Sequence, residues 1–259
     1  MNDSPPRLSL VVPLFNEESR IEPSMQRIGE FLSGLGYACE VIVVDDGSAA
    51  PGRGAAQRAV AGLPQPIRGS LLVHERNRGK GAAVRTGCLA ATGQRIAFID
   101  ADLATPPEDL PGLLAALDAG ADVAFGVRIQ ADGSDMRDRR GLARRLAGRL
   151  FALVMRTVLL PDVGDSQCPL KAFQRQAAQR LFRLQRVETW VFDAELLFLA
   201  SRLGLTVAKV PVRWHAVEGS HLRLNLKSAM ELWNLLRIRW LHRGVSSATL
   251  KGELPEPAG

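Results

Sequence analysis

The chain has 259 residues, of which 46% are apolar and 23% charged; that balance fits a globular α/β domain and excludes a disordered or collagen-like chain. The formal net charge is +6 and the pI near 9.8, with the excess mostly arginine, which suits carboxylate or phosphate partners. Cys39, Cys88 and Cys168 lie far apart with no Cys-x-x-Cys pair, which excludes a disulfide framework or cysteine-zinc site and points to free thiols in a reducing compartment.

The opening MNDSPPRLSL has neither the basic start nor the apolar core of a signal peptide. No run of 18 apolar residues occurs; LAGRLFALVMRTVLLPDV comes nearest, and arginines interrupt it. LSLVVPLF (8–15) is predicted as a buried strand, and EESRIEPSMQRIGEFLSGLG (17–36) as a helix with Pro23 in its first turns. CEVIVVDDGS (39–48) reads as a second strand ending in acids and a turn. A helix in the fifties, a strand in GSLLVHE (69–75) and a helix over 79–92 follow. RIAFIDAD (95–102) is a strand, PPEDLPGLLAALDAG (106–120) a helix, and ADVAFGVR (121–128) a strand. Such alternation implies βαβ units in a doubly wound, mostly parallel sheet, with ligands at the carboxyl ends of its strands.

After residue 128 the pattern changes. Residues 132–160 are arginine-rich and helical, and PDVGDSQCPLKAF (161–173) reads as a turn. Helices near 174–182 and over 193–203 precede a strand in TVAKVPVRW (206–214) and an amphipathic helix over about 224–243. One domain over 1–243 is expected, with 244–259 as a disordered tail.

Asp45 and Asp46 end one predicted strand, and Asp100 and Asp102 another. Carboxylates gathered at one sheet edge repel unless a cation or hydrogen bonds offset them. Mg²⁺ or Mn²⁺ would do so, taking one or two carboxylates plus phosphate oxygens. In an Asp-x-Asp turn the second aspartate can ligate the metal, and the first can hold a ribose or a metal-bound water. The competing reading is a strand end or helix cap. NRGKGAAVRTG (77–87) opens a helix, but Gly81 follows Lys80 where a Walker motif needs Ser or Thr. It is either a basic turn meeting a nucleotide or an ordinary helix start.

LSLVVPLFNEE, VIVVDDGS, NRGKGAAVRTG and FIDADLATPPE, in this order and spacing, resemble the family 2 glycosyltransferases of the GT-A fold. DSQCPLKAF, FDAELLFLASRLG and VPVRWHAVEGS look like the dolichyl-phosphate β-glucosyltransferase branch, with the polyprenyl-phosphate mannosyltransferases close by. The resemblance covers roughly residues 8 to 240. It implies a nucleotide-binding half at about 8–128 and an acceptor half at about 129–243. It implies that Pro13, Asn16 and Glu18 line the base and ribose, that Asp46 bonds the base ring, and that Gly79 and Lys80 flank the nucleotide. Asp100 and Asp102 match the Asp-x-Asp pair, with Asp102 the metal ligand. Arg128 matches an arginine facing the acceptor phosphate. Asp165, Gln167 and Lys171 match a loop over the diphosphate and sugar, and Asp193 and Glu195 match acids near the transferred sugar. Two departures fall on the acceptor side. The branch's Gln-Cys-Gly-Phe-Lys is Gln167-Cys168-Pro169-Leu170-Lys171 here, and its Gly-Ser-Arg is Gly126-Val127-Arg128.

Between 137 and 156, Arg145, Arg149 and Arg156 form a stripe beside Leu142, Leu146, Leu150 and Leu153. That suits an anionic lipid surface or a lipid-linked phosphate; a core-facing leucine stripe with a solvated arginine edge gives the same spacing. Few aromatics and no recognition motif argue against nucleic acid. In the last helix Leu226, Ala229, Met230, Trp233, Leu236 and Trp240 share a face that includes Arg237, fitting either a membrane interface or core packing. His215 and His221 are added metal ligands or plain loop histidines. The expected activity is metal-dependent, inverting transfer of glucose from UDP-glucose to a polyprenyl phosphate, by a peripheral enzyme on the cytoplasmic face of a membrane. GDP-mannose as donor, a hydroxyl acceptor with Asp193 or Glu195 as base, and a non-catalytic adaptor are the alternatives. A sugar-nucleotide pyrophosphorylase would want a glycine-rich loop where PLFNEE stands. The sequence does not fix the oligomeric state.

Overall fold

Strands covered on both faces need near-continuous apolar runs, and most strands of this sheet have them. β1 (Leu8–Leu14), β2 (Cys39–Asp45), β3 (Arg68–Val73), β4 (Arg95–Phe98), β5 (Val123–Val127), β6 (Lys171–Gln174) and β7 (Val207–Pro211) form one sheet in the order β3-β2-β1-β4-β6-β5-β7. This is seen in a computed structural model that describes residues 5–128, 168–215 and 226–245. Only the pairings of β6, with β4 and β5, are antiparallel.

Alternate strand residues face opposite sides, and two cores result. Val11, Ile42, Val44, Ile96, Phe98, Phe125 and Phe173 point to one side. There they meet α3 (Lys80–Ala90), α5 (Arg175–Leu184), α6 (Phe192–Arg202) and α7 (Leu226–Leu241). Leu10, Val12, Val41, Val43, Ala97 and Ala124 point to the other side, against α1 (Ile21–Ser33), α2 (Ala50–Ala61) and α4 (Leu110–Asp118). Phe98 is central, with its ring 5.8 Å from that of Phe192 and 6.2 Å from that of Phe173. Truncating such a residue to alanine costs about 3–5 kcal/mol.

The predicted α/β doubly wound, mostly parallel sheet is therefore present, with two corrections. The segment read as one turn up to Phe173 contains β6, which pairs Phe98 with Lys171 and Phe125 with Lys171. It fills the space between β4 and β5 that a simple winding would close. The strand predicted to 102 ends at Phe98. The Ile99 N–H still reaches Val11 O at 3.0 Å, and the chain then turns, with Leu103 N–H on Asp100 O. The 132–160 helix, Asp165, Gln167, His221, the 246–259 tail and the side chains of Leu226, Ala229 and Met230 lie outside what is described.

Candidate active site

β1 lies between β2 and β4, so the winding direction reverses there and a crevice opens at the strands' carboxyl ends. On one side of it, Asp102 Oδ1 accepts the Ala104 N–H at 3.0 Å, a local turn typical of aspartate. Leu103 sits at φ +49°, a left-handed conformation that costs a leucine about 1–3 kcal/mol. Burial, and then the neighbouring Asp100 charge, hold the Asp102 carboxyl above the usual range, against the Ala104 N–H, Lys80 and Arg20. Across the crevice the Glu17 carboxyl is also raised, first by burial, with Asp102 adding to it and Arg20 opposing. The acid that senses the Asp-x-Asp turn is thus Glu17, whereas Glu18, chosen from sequence, is exposed.

Asp100 is held by Lys80, whose Nζ lies 2.7 and 2.8 Å from its two oxygens. Burial works against the Lys80 ammonium, but Asp100, Asp193 and Asp102 outweigh it and keep its pKa above the ordinary lysine value. Asp193, in the first turn of α6, is 3% exposed. Its carboxyl is raised by burial, opposed by Lys171 and Lys80. Lys171 Nζ lies 2.7 Å from Asp193 Oδ1. Asp102, Asp100, Lys80, Asp193 and Lys171 therefore form a line of three carboxylates and two ammonium groups, leaving negative charge at the Asp102 end.

Lys171 does not lie over the site mouth as the resemblance implied. It is 0% exposed, sits 5.3 Å from the rings of both Phe98 and Phe125, and donates to Cys168 O at 2.5 Å. As the first residue of β6 it enters the sheet interior and reaches the site only through Asp193. Glu195 also departs from expectation. Two residues apart on a helix means about 200° of rotation, so Asp193 and Glu195 cannot face one place. Glu195, fully buried, accepts the Arg186 and Val187 N–H groups, each at 2.9 Å, and its Oε1 lies 2.6 Å from His242 Nε2. It ties α6 to the loop before it and to the end of α7.

The Asp46 carboxylate is engaged by the protein itself. It accepts from the Arg78 N–H at 3.0 Å, the Gly79 N–H at 2.7 Å and His74 Nδ1 at 2.7 Å. His74 Nε2 in turn lies 2.9 Å from Thr86 Oγ1. Asp46 thereby fixes the turn that presents Lys80. His74 and Thr86 were not foreseen, because 28 and 40 residues of chain separate them from Asp46. Gly79 has φ +113°, and a Cβ there would lie 2.5 Å from Glu188 O. At Gly81 a Cβ would lie 2.8 Å from Val187 O. Both glycines let the 187–189 segment lie against the Lys80 turn. Asn16, at φ +52°, accepts the Ala49 N–H at 3.0 Å and donates its own N–H to Ser48 Oγ at 2.9 Å, joining the loops after β1 and β2. Pro13 is half-buried near the end of β1.

Arg128 directly follows β5, buried, with its guanidinium 5.5 Å from the Trp214 ring centre. The segment after β7 is pinned across the Asp102 turn. The His215 N–H donates to Ala104 O at 2.9 Å, and the Arg213 N–H to Asp109 Oδ2 at 2.6 Å. The His215 backbone thus lies beside the turn while the residue is exposed. The two segments that carry the departures lie against each other: the Gly126 N–H donates to Leu170 O at 3.0 Å, and a Cβ on Gly126 would lie 2.8 Å from Cys168 Sγ. Pro169, which has no N–H to satisfy, is buried between them in sequence.

Residues 9–182 match the family model described as Glycosyl transferase family 2. A dolichyl-phosphate beta-glucosyltransferase of Dictyostelium discoideum is 31% identical over 247 residues, covering 90% of this chain and 74% of the relative. One of Drosophila melanogaster is 35% identical over 239 residues, covering 86% and 71%. Among solved structures, glucosyl-3-phosphoglycerate synthase of Mycobacterium tuberculosis, in complex with Mn²⁺, UDP and glucosyl-3-phosphoglycerate, superposes with a TM-score of 0.64 at 22% identity, covering 92% of this chain and 80% of that one. That similarity is one of fold, the GT-A fold. With the family match spanning most of the chain and the strand-end carboxylates gathered at the switch point, the chain belongs to glycosyl transferase family 2 and is a glycosyltransferase.

Proposed function

We propose that the chain transfers glucose from UDP-glucose to a polyprenyl (dolichyl-type) phosphate, inverting the anomeric carbon, with Mg²⁺ or Mn²⁺, as a peripheral enzyme on the cytoplasmic face of a membrane. The observation that carries this reading is the Asp100–Asp102 turn at the switch point, braced by Lys80 and left with negative charge at Asp102. The names of the curated relatives support the glucosyl donor and the lipid-phosphate acceptor. The metal fits the donor set: Asp100 and Asp102 offer hard oxygen ligands and an incompletely balanced charge. Among the described residues no group of three His, Cys, Asp or Glu side chains could hold an ion alone, which leaves room for diphosphate oxygens and water. When bound, such an ion supplies charge neutralisation to the departing diphosphate.

The chain's own residues do the rest. Lys80 orients Asp100 and places a second positive charge beside the diphosphate site, and Asp46 holds the turn that carries Lys80. Arg128, its guanidinium 5.5 Å from the Trp214 ring centre, offers a charge to the acceptor phosphate. A phosphate monoester is largely dianionic at pH 7, its second pKa being about 6, so it attacks without a strong base. The pairing of Asp193 with Lys171 suits that chemistry, since it leaves this acid to position Lys80. No helix of the described residues is long and apolar enough to cross a membrane, in keeping with a peripheral protein.

The test is a radiolabelled transfer assay on polyprenyl phosphate in detergent, with UDP-glucose, GDP-mannose and UDP-N-acetylglucosamine side by side and EDTA controls. A lipid product from UDP-glucose alone, abolished by EDTA, is the expected result. Product from GDP-mannose moves the assignment to the mannosyl branch, and no lipid product from any donor sinks the acceptor assignment.

A further inference from the structure

A helix in water turns its aromatic side chains inward when neighbours can cover them. α7 does the opposite. It buries Leu235, Ile238 and His242 against α6, where His242 meets Glu195 and its ring lies 6.4 Å from that of Phe198. Trp233 and Trp240, each 61% exposed, and Leu236, 45% exposed, stand on the opposite face. Their spacing of three and four residues makes one stripe. Asn234 Nδ2 donates to Thr189 Oγ1 at 3.3 Å, which brings Trp190, 49% exposed, beside this helix. Three of the chain's four tryptophans are therefore exposed, two on this helix and Trp190 next in sequence to Thr189, which the helix contacts. Arg237 and Arg243 are exposed on the same helix and its end, with the Arg243 guanidinium 5.4 Å from the Trp240 ring centre. No acidic residue occurs from 232 to 245.

We propose that the face formed by Trp190, Trp233, Leu236, Arg237, Trp240 and Arg243 docks on the headgroup layer of an anionic phospholipid bilayer. The inference deepens the reading above and rests on it in one respect: a lipid-linked phosphate has to be met at a bilayer. The chemistry selects the occupant. Tryptophan rings seat at the boundary of acyl chains and headgroups, and arginines in a stretch of sequence without acids complement lipid phosphates. A second copy of the chain fits worse, because a two-fold interface would gather the arginines of both copies in one patch. The face also adjoins the site. Trp190 stands two residues after Glu188, whose carbonyl accepts the Ala82 N–H at 3.2 Å and crowds Gly79, so docking would bring the Lys80 side of the crevice to the bilayer.

The test is flotation of the full chain with vesicles of phosphatidylcholine alone or with about a quarter phosphatidylglycerol, together with tryptophan fluorescence. The expected result is binding to the anionic vesicles with a blue shift, weakened by salt. Trp233→Ser with Trp240→Ser should lower vesicle binding by at least about tenfold, and Arg237→Gln or Arg243→Gln by about fivefold each. Transfer to a short, water-soluble prenyl phosphate should not change in these variants. Unchanged vesicle binding in the tryptophan variant overturns the proposal. So does a dimer, seen by light scattering, that the same substitutions dissolve. Vesicle binding without transfer leaves the docking face standing and removes the acceptor assignment; transfer to the short acceptor without vesicle binding does the reverse.

Discussion

Replacing Lys171 with methionine removes one charge and keeps most of the side-chain volume. Lys171 is 0% exposed and Asp193 3% exposed, with 2.7 Å between Nζ and Oδ1. Water cannot replace the lost partner, and breaking such a buried pair costs about 3–5 kcal/mol. The contacts of the ammonium with the Phe98 and Phe125 rings, 5.3 Å each, are lost as well. For a chain of this size that corresponds to a fall in melting temperature of roughly 6–9 °C. The fall should persist at high salt, because the pair is not screened. It should also depend on pH. The Asp193 carboxyl already stands above its ordinary value of 3.8, through burial first, and loses its largest opposing charge in the variant. A carboxyl raised in the folded state contributes stability below its unfolded value and loses it as pH rises through the folded one. Thermal melts across the acid range should therefore show Lys171→Met near wild type at low pH and falling away as pH rises. Adding Asp193→Leu should recover most of the loss. A cost below about 1 kcal/mol at neutral pH, or no recovery in the double variant, would refute the buried pair.

Glu195→Ala strands the Arg186 and Val187 N–H groups and His242; it should cost roughly 3 kcal/mol or more in urea titrations, while the folded remainder keeps the wild-type KM for the donor. Asp193→Ala leaves the Lys171 ammonium buried without its Asp193 partner, so it should lose stability much as Lys171→Met does and also lower kcat in the transfer assay. Gly79→Ala meets both φ +113° and a 2.5 Å approach to Glu188 O, and about 2 kcal/mol or more of destabilisation with a raised donor KM should appear in melts and steady-state kinetics. Asp102→Asn should raise the melting temperature of metal-free protein at neutral pH, because the raised carboxyl is a liability there. That gain should vanish below the ordinary aspartate value of 3.8, and turnover should be lost at every pH.

What the sequence displayed most clearly was whatever one strand end or one turn decides. The apolar runs of β1, β2 and β4 and the acids that follow them are local, so the sheet class and the Asp100–Asp102 turn could be read directly. Lys80 was legible as part of a glycine turn, but its pairing with Asp100, 20 residues on, was not. Glu17 and Glu18 are adjacent, and only the backbone path decides which one turns to Asp102. Asp193 and Glu195 were grouped by the family resemblance, although helix geometry alone puts them on different sides. β6 was missed because four residues, KAFQ, carry too little pattern, and its place between β4 and β5 is set by tertiary packing. The last helix left two readings open, and burial separates them: Leu235 and Ile238 face the core, and the tryptophans do not.

The central claim is that Asp100 and Asp102 hold a divalent ion together with a nucleotide diphosphate. Calorimetric titration of UDP-glucose into the protein with Mn²⁺, with EDTA, and into Asp102→Asn with Mn²⁺ tests it most directly. The account predicts tight binding only in the first case, weakened by at least about tenfold in the other two. Equal affinity in all three would contradict it.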